Sequence, residues 1–451
     1  MKEAIVQFFR RYIRNMRSFK LPVSVFCLFC MLGLAIGTSR PLYSSDLIWA
    51  PPHLEQLIKE GLARNGEIQS LSAMVESLKE AIPYAGSLDD PRLGIGLLNL
   101  PVDTFSFNQE PMTQKQLFIA QKIPWFGKLS LKEQRQALMA TSQQVLLEVK
   151  RFELARKIAD AYYELGFISS SIKTNGRLTD IVGQVLKVTE TRYGAGKGLQ
   201  QDVLQAQVEL TKLLDEKITL GKKRRIVEDR INELLNREEF QPVYISDELP
   251  SPEMELDSAA LQAKSLKNNP MLAVRQANID VADVDIQLAE KDYRPDMDVM
   301  VGYGQREEDM TGRELPDFFS ASVVVNIPLW QKSRQAANLA SKKKSRQAAG
   351  KSYEDLVRSL PHKVDALVTD LSETRENYKL FSGALTVQAE QWARSSMDAY
   401  VVGKIEFNTM ISAQIRLLNF ELMAKKYLYE LYQKRAELEE VLGGPIIDGN
   451  Y

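Results

Sequence analysis

The chain has 451 residues, with 58 basic side chains against 59 acidic ones and a pI near 6.3. Charges that nearly cancel give no global pull toward nucleic acid or an anionic surface. Cys27 and Cys30 are the only thiols, and His53 and His362 the only imidazoles, so no zinc site, disulfide framework, Cys/His nucleophile pair or cofactor site is expected.

The first 37 residues read as an export signal. Arg10, Arg11, Arg14, Arg17 and Lys20 form a basic segment, Leu21 to Gly37 is apolar, and Ala35 and Gly37 are small residues before Thr38. This is the three-part plan of a secretory signal peptide. A retained anchor of this length would sit at the short limit for a spanning helix. Phe26 and Phe29 precede the two cysteines, where lipidation would want a small residue. No later segment is apolar enough for a membrane helix, so membrane residence would have to use strands.

A first repeat is read over residues 38–240. It opens with a helix over about Leu54–Ala81, followed by Leu93, Ile95 and Leu97 alternating with Gly94 and Gly96. A second strand near Thr113–Ile123 alternates poorly. From Lys128 to Thr191 there is no proline, which predicts a helix of roughly 95 Å at 1.5 Å per residue. Leu131, Leu138, Val145, Phe152 and Ala159 recur every seven residues, and so do Ala206, Leu213, Leu220, Val227 and Leu234 in the next helix. Heptads of this kind predict coiled-coil packing.

Between these helices lies TRYGAGKGLQQDVLQAQ, Thr191–Gln207. A phosphate-binding loop would need glycine at Thr191 and a hydroxyl at Gly198, and no clear strand precedes it. The stretch therefore reads as the bend of an antiparallel helix pair, with glycine past a helix end. The basic runs Lys222–Arg225 and Lys342–Lys344 read as solvated helix faces.

Residues 241–257 are rich in proline and acid and read as a connector. A second repeat then runs over 258–442, leaving 443–451 as a tail. Its helix spans Ser258–Lys291. Met297, Val299, Val301 and Tyr303 form one apolar alternation, and Phe319, Ala321, Val323, Val325 and Ile327 another. Pro361 is expected to interrupt the long helix that follows.

The duplication is visible residue by residue. IPWFGK at Ile123–Lys128 matches IPLWQK at Ile327–Lys332 with an offset of 204. Tyr193, Gly196, Lys197, Ala206, Gln207 and Leu210 match Tyr400, Gly403, Lys404, Ala413, Gln414 and Leu417 with an offset of 207. Runs of about 10 residues fit transmembrane strands, with Trp125, Phe126 and Trp330 where an interfacial girdle would lie. Val299, Val301, Phe319, Val323 and Val325 are the lipid-facing candidates. Four strands cannot close a membrane barrel, so the chain would have to oligomerise.

This ordered set resembles the TolC-type outer-membrane efflux channels across the whole mature chain. Pro111–Gln134 looks most like members paired with heavy-metal and cation exporters. The resemblance implies a mixed α/β membrane protein in which a homotrimer shares a twelve-stranded barrel, with long antiparallel coiled-coil helices forming a periplasmic tunnel. The implied partners are a periplasmic adaptor (membrane fusion) protein, an inner-membrane RND-type pump and outer-membrane lipid, with no nucleic acid. Ala195, Gly196, Lys197, Val402, Gly403 and Lys404 would be adaptor-facing tips. Asp202 and Tyr400 match positions that link neighbouring helix pairs at the closed tip. The arginine expected nearby is Ile405 here, and the family's two aperture aspartates fall at Thr409 and Ser412. Glu406 is an acidic candidate left near the second tip.

The implied function is a passive exit duct with no catalytic site. The same fold also serves as the exit duct of protein secretion systems. A soluble periplasmic coiled-coil scaffold is the reading from another class, and it predicts no barrel.

Overall fold

The structure, a computed structural model, describes residues 48–245, 249 and 256–446, all within one of the two units into which the chain divides. The signal segment lies outside the described residues, as do parts of the connector and of the tail. The first repeat contains α1 (Pro52–Arg64), α2 (Gly66–Gly86), β1 (Arg92–Leu98), β2 (Gln114–Ile123), α3 (Lys128–Gly194) and α4 (Gln200–Leu234). The second contains α5 (Ser258–Asn268), α6 (Pro270–Lys291), β3 (Met297–Gln305), β4 (Phe318–Val325), α7 (Gln335–Leu380), a π turn at Phe381–Leu385, α8 (Thr386–Val401) and α9 (Phe407–Leu442).

The single helix expected at the start of each repeat is two helices. Asn65 has an extended backbone, and its side-chain oxygen accepts from the amides of Glu67 and Ile68 at 3.0 and 3.3 Å. Asn269 does the same for Met271 and Leu272 at 2.9 and 3.3 Å. Each asparagine satisfies amide donors that the first turn of the second helix leaves free. Its amide nitrogen then reaches the end of a distant helix, Asn65 donating to the Leu234 carbonyl at 3.0 Å and Asn269 to that of Val441 at 2.8 Å. One side chain thus caps one helix and ties it to another, and it does so at equivalent places in both repeats.

The two repeat offsets also have a structural cause. Asn65 and Asn269 keep the 204 offset; α3 and the continuous α7–π–α8 rod begin and end 207 apart, so the rods are equal in length. The three additional residues lie between β4 and α7. Pro124–Gly127 suffices to join β2 to α3, with Gly127 at φ 84° turning the chain, whereas the second repeat uses Asn326–Arg334, five residues more, because β4 also ends two residues short of the 204 offset.

The strands form one antiparallel sheet in the order β1-β2-β3-β4, so β2 and β3 join the repeats. Residues opposite each other across an antiparallel ladder share a face. The rows Leu93–Ile119–Val301–Ala321 and Ile95–Leu117–Tyr303–Phe319 therefore lie on one face, with Val299–Val323 and Met297–Val325. The other face carries rows such as Gly94–Phe118–Gly302–Ser320 and Lys122–Asp298–Val324. The poor alternation of β2 comes partly from Gln121, which stands on the apolar face. It does so at the strand end, where its amide donates to the Asp89 carbonyl at 2.8 Å.

The α4 heptad holds at Ala206, Leu213, Leu220 and Val227, which are buried, but not at Leu234, which is half-buried while Leu235 beside it takes the buried place. The α3 heptad needs correction. Phe152 and Ala159 are buried but Leu131, Leu138 and Val145 are only half-buried; the continuous seam is Leu147, Leu154, Ala161, Ile168, Asn175, Val182 and Thr189. Helix α3 packs against α2, α4, α6 and α9, so no single apolar stripe runs along its 67 residues. Asn175 keeps its place in the seam by donating to the Leu213 carbonyl of α4 at 3.2 Å.

Pro361 does not interrupt its helix. It lies inside α7, flanked by the buried Leu360 and Val364, whose packing offsets the one backbone donor that proline lacks. The irregularity falls twenty residues later, at the π turn, where the Thr386 hydroxyl donates to the Phe381 carbonyl at 2.5 Å.

Candidate functional site

The two bends are built alike. At the first, the Lys197 amide donates to the Arg192 carbonyl at 2.8 Å and the Gly196 amide to that of Tyr193 at 3.0 Å. At the second, Lys404 donates to Ala399 at 2.8 Å and Gly403 to Tyr400 at 2.9 Å. These bonds close the end of each helix with a left-handed residue, and Gly196 and Gly403 supply it at φ 68° and 76°. A Cβ on Gly196 would meet nothing within 4 Å, so within the chain its glycine is required by backbone conformation and not by space. Ala195, Gly196, Lys197, Val402, Gly403 and Lys404 are all exposed.

Tyr400 is buried, stacked edge-on against Phe407 with ring centroids 6.1 Å apart. Burial raises its pKa first, and the negative charge of Asp202, half-buried in the first turn of α4, raises it further. Asp202 and Tyr400 are therefore brought together. A third residue, absent from the sequence reading, stands with them. The Arg192 guanidinium lies 5.1 Å from the Tyr400 ring centre and donates to the Tyr400 carbonyl at 2.8 Å. The charge of Arg192 opposes the rise in the Tyr400 pKa. Its Nη2 would lie 3.2 Å from a Cβ placed on Gly403. One cation from the end of α3 thus caps the end of α8 and fills the space beside the second bend. Glu406, Thr409 and Ser412 lie exposed at the start of α9 and take no part in this cluster.

The sequence pattern of the family described as outer membrane efflux protein matches residues 57–237 and 261–444, most of the chain. The chain belongs to the outer membrane efflux protein family. No curated protein matches it at the sequence level. Among solved structures it is similar to the VceC outer-membrane protein of Vibrio cholerae, with a TM-score of 0.70 and 16% identity over 87% of this chain and 97% of that one. It is also similar to the open state of the MtrE channel of Neisseria gonorrhoeae, at 0.69 and 15% over 89% and 91%. CusC gives 0.73 and 13% over 90% and 96%. At such identities the likeness is one of fold.

Family membership makes this efflux protein an outer-membrane exit duct, with its helices forming the periplasmic tunnel and its strands the barrel. The soluble-scaffold reading is set aside. No described helix is long and apolar enough to cross a membrane. Arg192 could have been found from the repeats themselves. Its partner position at offset 207 is Ala399, and a cation facing a small residue at matched places marks where the two bends differ.

Proposed function

We propose that three copies of the chain close one twelve-stranded barrel and pass cargo outward from a periplasmic adaptor and an inner-membrane RND-type pump. The observation that carries this reading is the pair of open sheet edges, β1 and β4. Each unpaired backbone group left in lipid costs several kcal/mol. Strands from neighbouring copies would remove that cost by pairing β4 of one with β1 of the next. Two copies would supply eight strands; the family's assembly is of three. Residues 38–240 and 258–442 would then act as two quasi-equivalent repeats, joined by the connector 241–257 and followed by the tail 443–451.

In this reading Val299, Val301, Phe319, Val323 and Val325 meet lipid. Ala195–Lys197 and Val402–Lys404 meet the adaptor. Asp202 and Tyr400 belong to the link that sets the aperture, with Glu406, Thr409 and Ser412 lining its approach. Exposed apolar side chains at the tips support a docking role, with Leu199 and Val402 at 62% and 66% exposure.

The test is adaptor co-purification from outer membranes with Gly196→Asp and Gly403→Asp. Both should lose the adaptor while still inserting as trimers. Gly196→Asn separates the turn from the contact, because asparagine tolerates the left-handed conformation. Export and adaptor recovery at normal levels in both aspartate variants would refute the assignment of the tips.

A further inference from the structure

The corner that carries the three additional residues of the second repeat lines a cavity of 620 Å³, within the roughly 300–1,000 Å³ of small-molecule sites. Its walls come from both repeats: Lys122 at the end of β2, Arg294 before β3, and Asn326–Trp330, Arg334 and Gln335 at the entry to α7. The corner is a built one. Asn326 donates its amide to the Asp296 carbonyl at 3.1 Å and accepts from the Asp296 amide at 2.5 Å, and the Arg334 amide donates to the Trp330 carbonyl at 2.9 Å.

Its charges are unequal. Lys128 is paired with Asp292 and Asp296 at 3.2 and 3.0 Å, which accounts for both acids in the wall. Lys122, Lys128, Arg294 and Arg334 set four positive charges against these two acids, an excess of two, and Lys122, Arg294 and Arg334 are exposed. On the same segment Ile327, Leu329 and Trp330 are 72%, 75% and 73% exposed. The Gln335 side-chain oxygen is buried without a hydrogen-bond donor. Arginine pairs well with phosphate oxygens, and apolar side chains with a tryptophan beside basic groups are the pattern of a membrane–water boundary.

We infer that this cavity binds the headgroup of a membrane phospholipid that carries a phosphodiester and an ammonium, as phosphatidylethanolamine does. Arg294, Arg334 and Lys122 hold the phosphate. Gln335 offers its free oxygen to the ammonium, and Ile327, Leu329 and Trp330 lie along the acyl chains. The site rests on the reading that the strands cross the membrane, because that reading puts this corner at the inner edge of the bilayer.

The experiment uses the full chain extracted from outer membranes, exchanged into lipid-free detergent and titrated by native mass spectrometry. The probes are phosphatidylethanolamine, phosphatidylglycerol and inorganic phosphate. Wild type should bind phosphatidylethanolamine more tightly than phosphatidylglycerol, and neither should be displaced by millimolar phosphate. Arg294→Gln with Arg334→Gln should weaken both lipids at least tenfold, while Gln335→Leu should weaken only phosphatidylethanolamine. Trp330→Ala, at an exposed position, gives a second reading that does not depend on the arginine pair, and should weaken lipid severalfold. Lipid binding unchanged in the double variant and in Trp330→Ala would overturn the site. Displacement by inorganic phosphate would overturn it in favour of a free-anion site. Insertion is scored separately by trimer recovery from membranes: inserted trimers with unaltered lipid binding sink the site alone, whereas a wild type that never enters the membrane sinks the barrel reading on which it rests.

Discussion

Arg192 holds two segments that lie 208 residues apart in the chain, and it does so with one side chain. A hydrogen bond from a charged donor contributes about 1.5–3 kcal/mol, and the ring contact adds about 0.5–1 kcal/mol where partly exposed. Arg192→Met keeps the aliphatic bulk and removes both. Amide exchange at 399–404 should then speed by about tenfold or more, with the amides near Asn65 unaffected. Unaltered exchange at the second bend would show that the cation does not hold it. Asp160 gives a second prediction, in α3. Burial is the main reason its carboxyl is pushed up to about 6; Arg156 opposes the rise, and Glu437 and Glu440 add to it. The folded chain therefore holds a proton that the unfolded chain has released above its ordinary value of about 3.9. That contribution is fully present below the unfolded value and is lost as pH rises through about 6. Asp160→Asn should gain thermal stability relative to wild type on going from pH 4 to pH 7, read as the difference in Tm at each pH. A difference that stays flat with pH would contradict the shift.

At the scale of elements, the strands were legible where alternation was clean, and Val299 and Val323 do face the same way because they are direct partners in the ladder. The structure adds a control that periodicity alone does not give. Val323 and Val324 are both exposed, at 61% and 57%, yet point to opposite faces of the sheet. In a membrane barrel, arginine on the lipid face near the midplane costs about 2–4 kcal/mol and on the lumen face much less. Val323→Arg should therefore lower trimer yield in the outer membrane sharply, and Val324→Arg should not. Equal yields would mean that the apolar face does not meet lipid. The helix breaks were less legible, although Asn65-Gly66 and Asn269-Pro270 are both turn dipeptides. Apolar periodicity on either side concealed them, and the distant carbonyls of Leu234 and Val441 that hold each asparagine have no local signature. The α3 seam escaped for a related reason. It passes through Ala161, Asn175 and Thr189, whose burial depends on which helix lies opposite and not on hydropathy.

At the scale of the whole molecule, the duplication governs the chain. Its two offsets were visible in the residues, and the three residues by which they differ lie in the longer connection between β4 and α7. The bends and the paired helices followed from glycine placement and heptads. The cluster of Arg192, Asp202 and Tyr400 did not, because it forms only when the two repeats lie side by side. Family membership supplies the outer-membrane duct, while the open edges β1 and β4 make each chain an incomplete barrel. The most direct test is single-channel conductance in a planar bilayer, made on the detergent-extracted oligomer after its mass has been measured. The account predicts a mass of three chains and discrete, small or gated conductance steps. A stable monomer, or a trimer that enters the bilayer without conducting under any condition that removes the tip contacts, would contradict it.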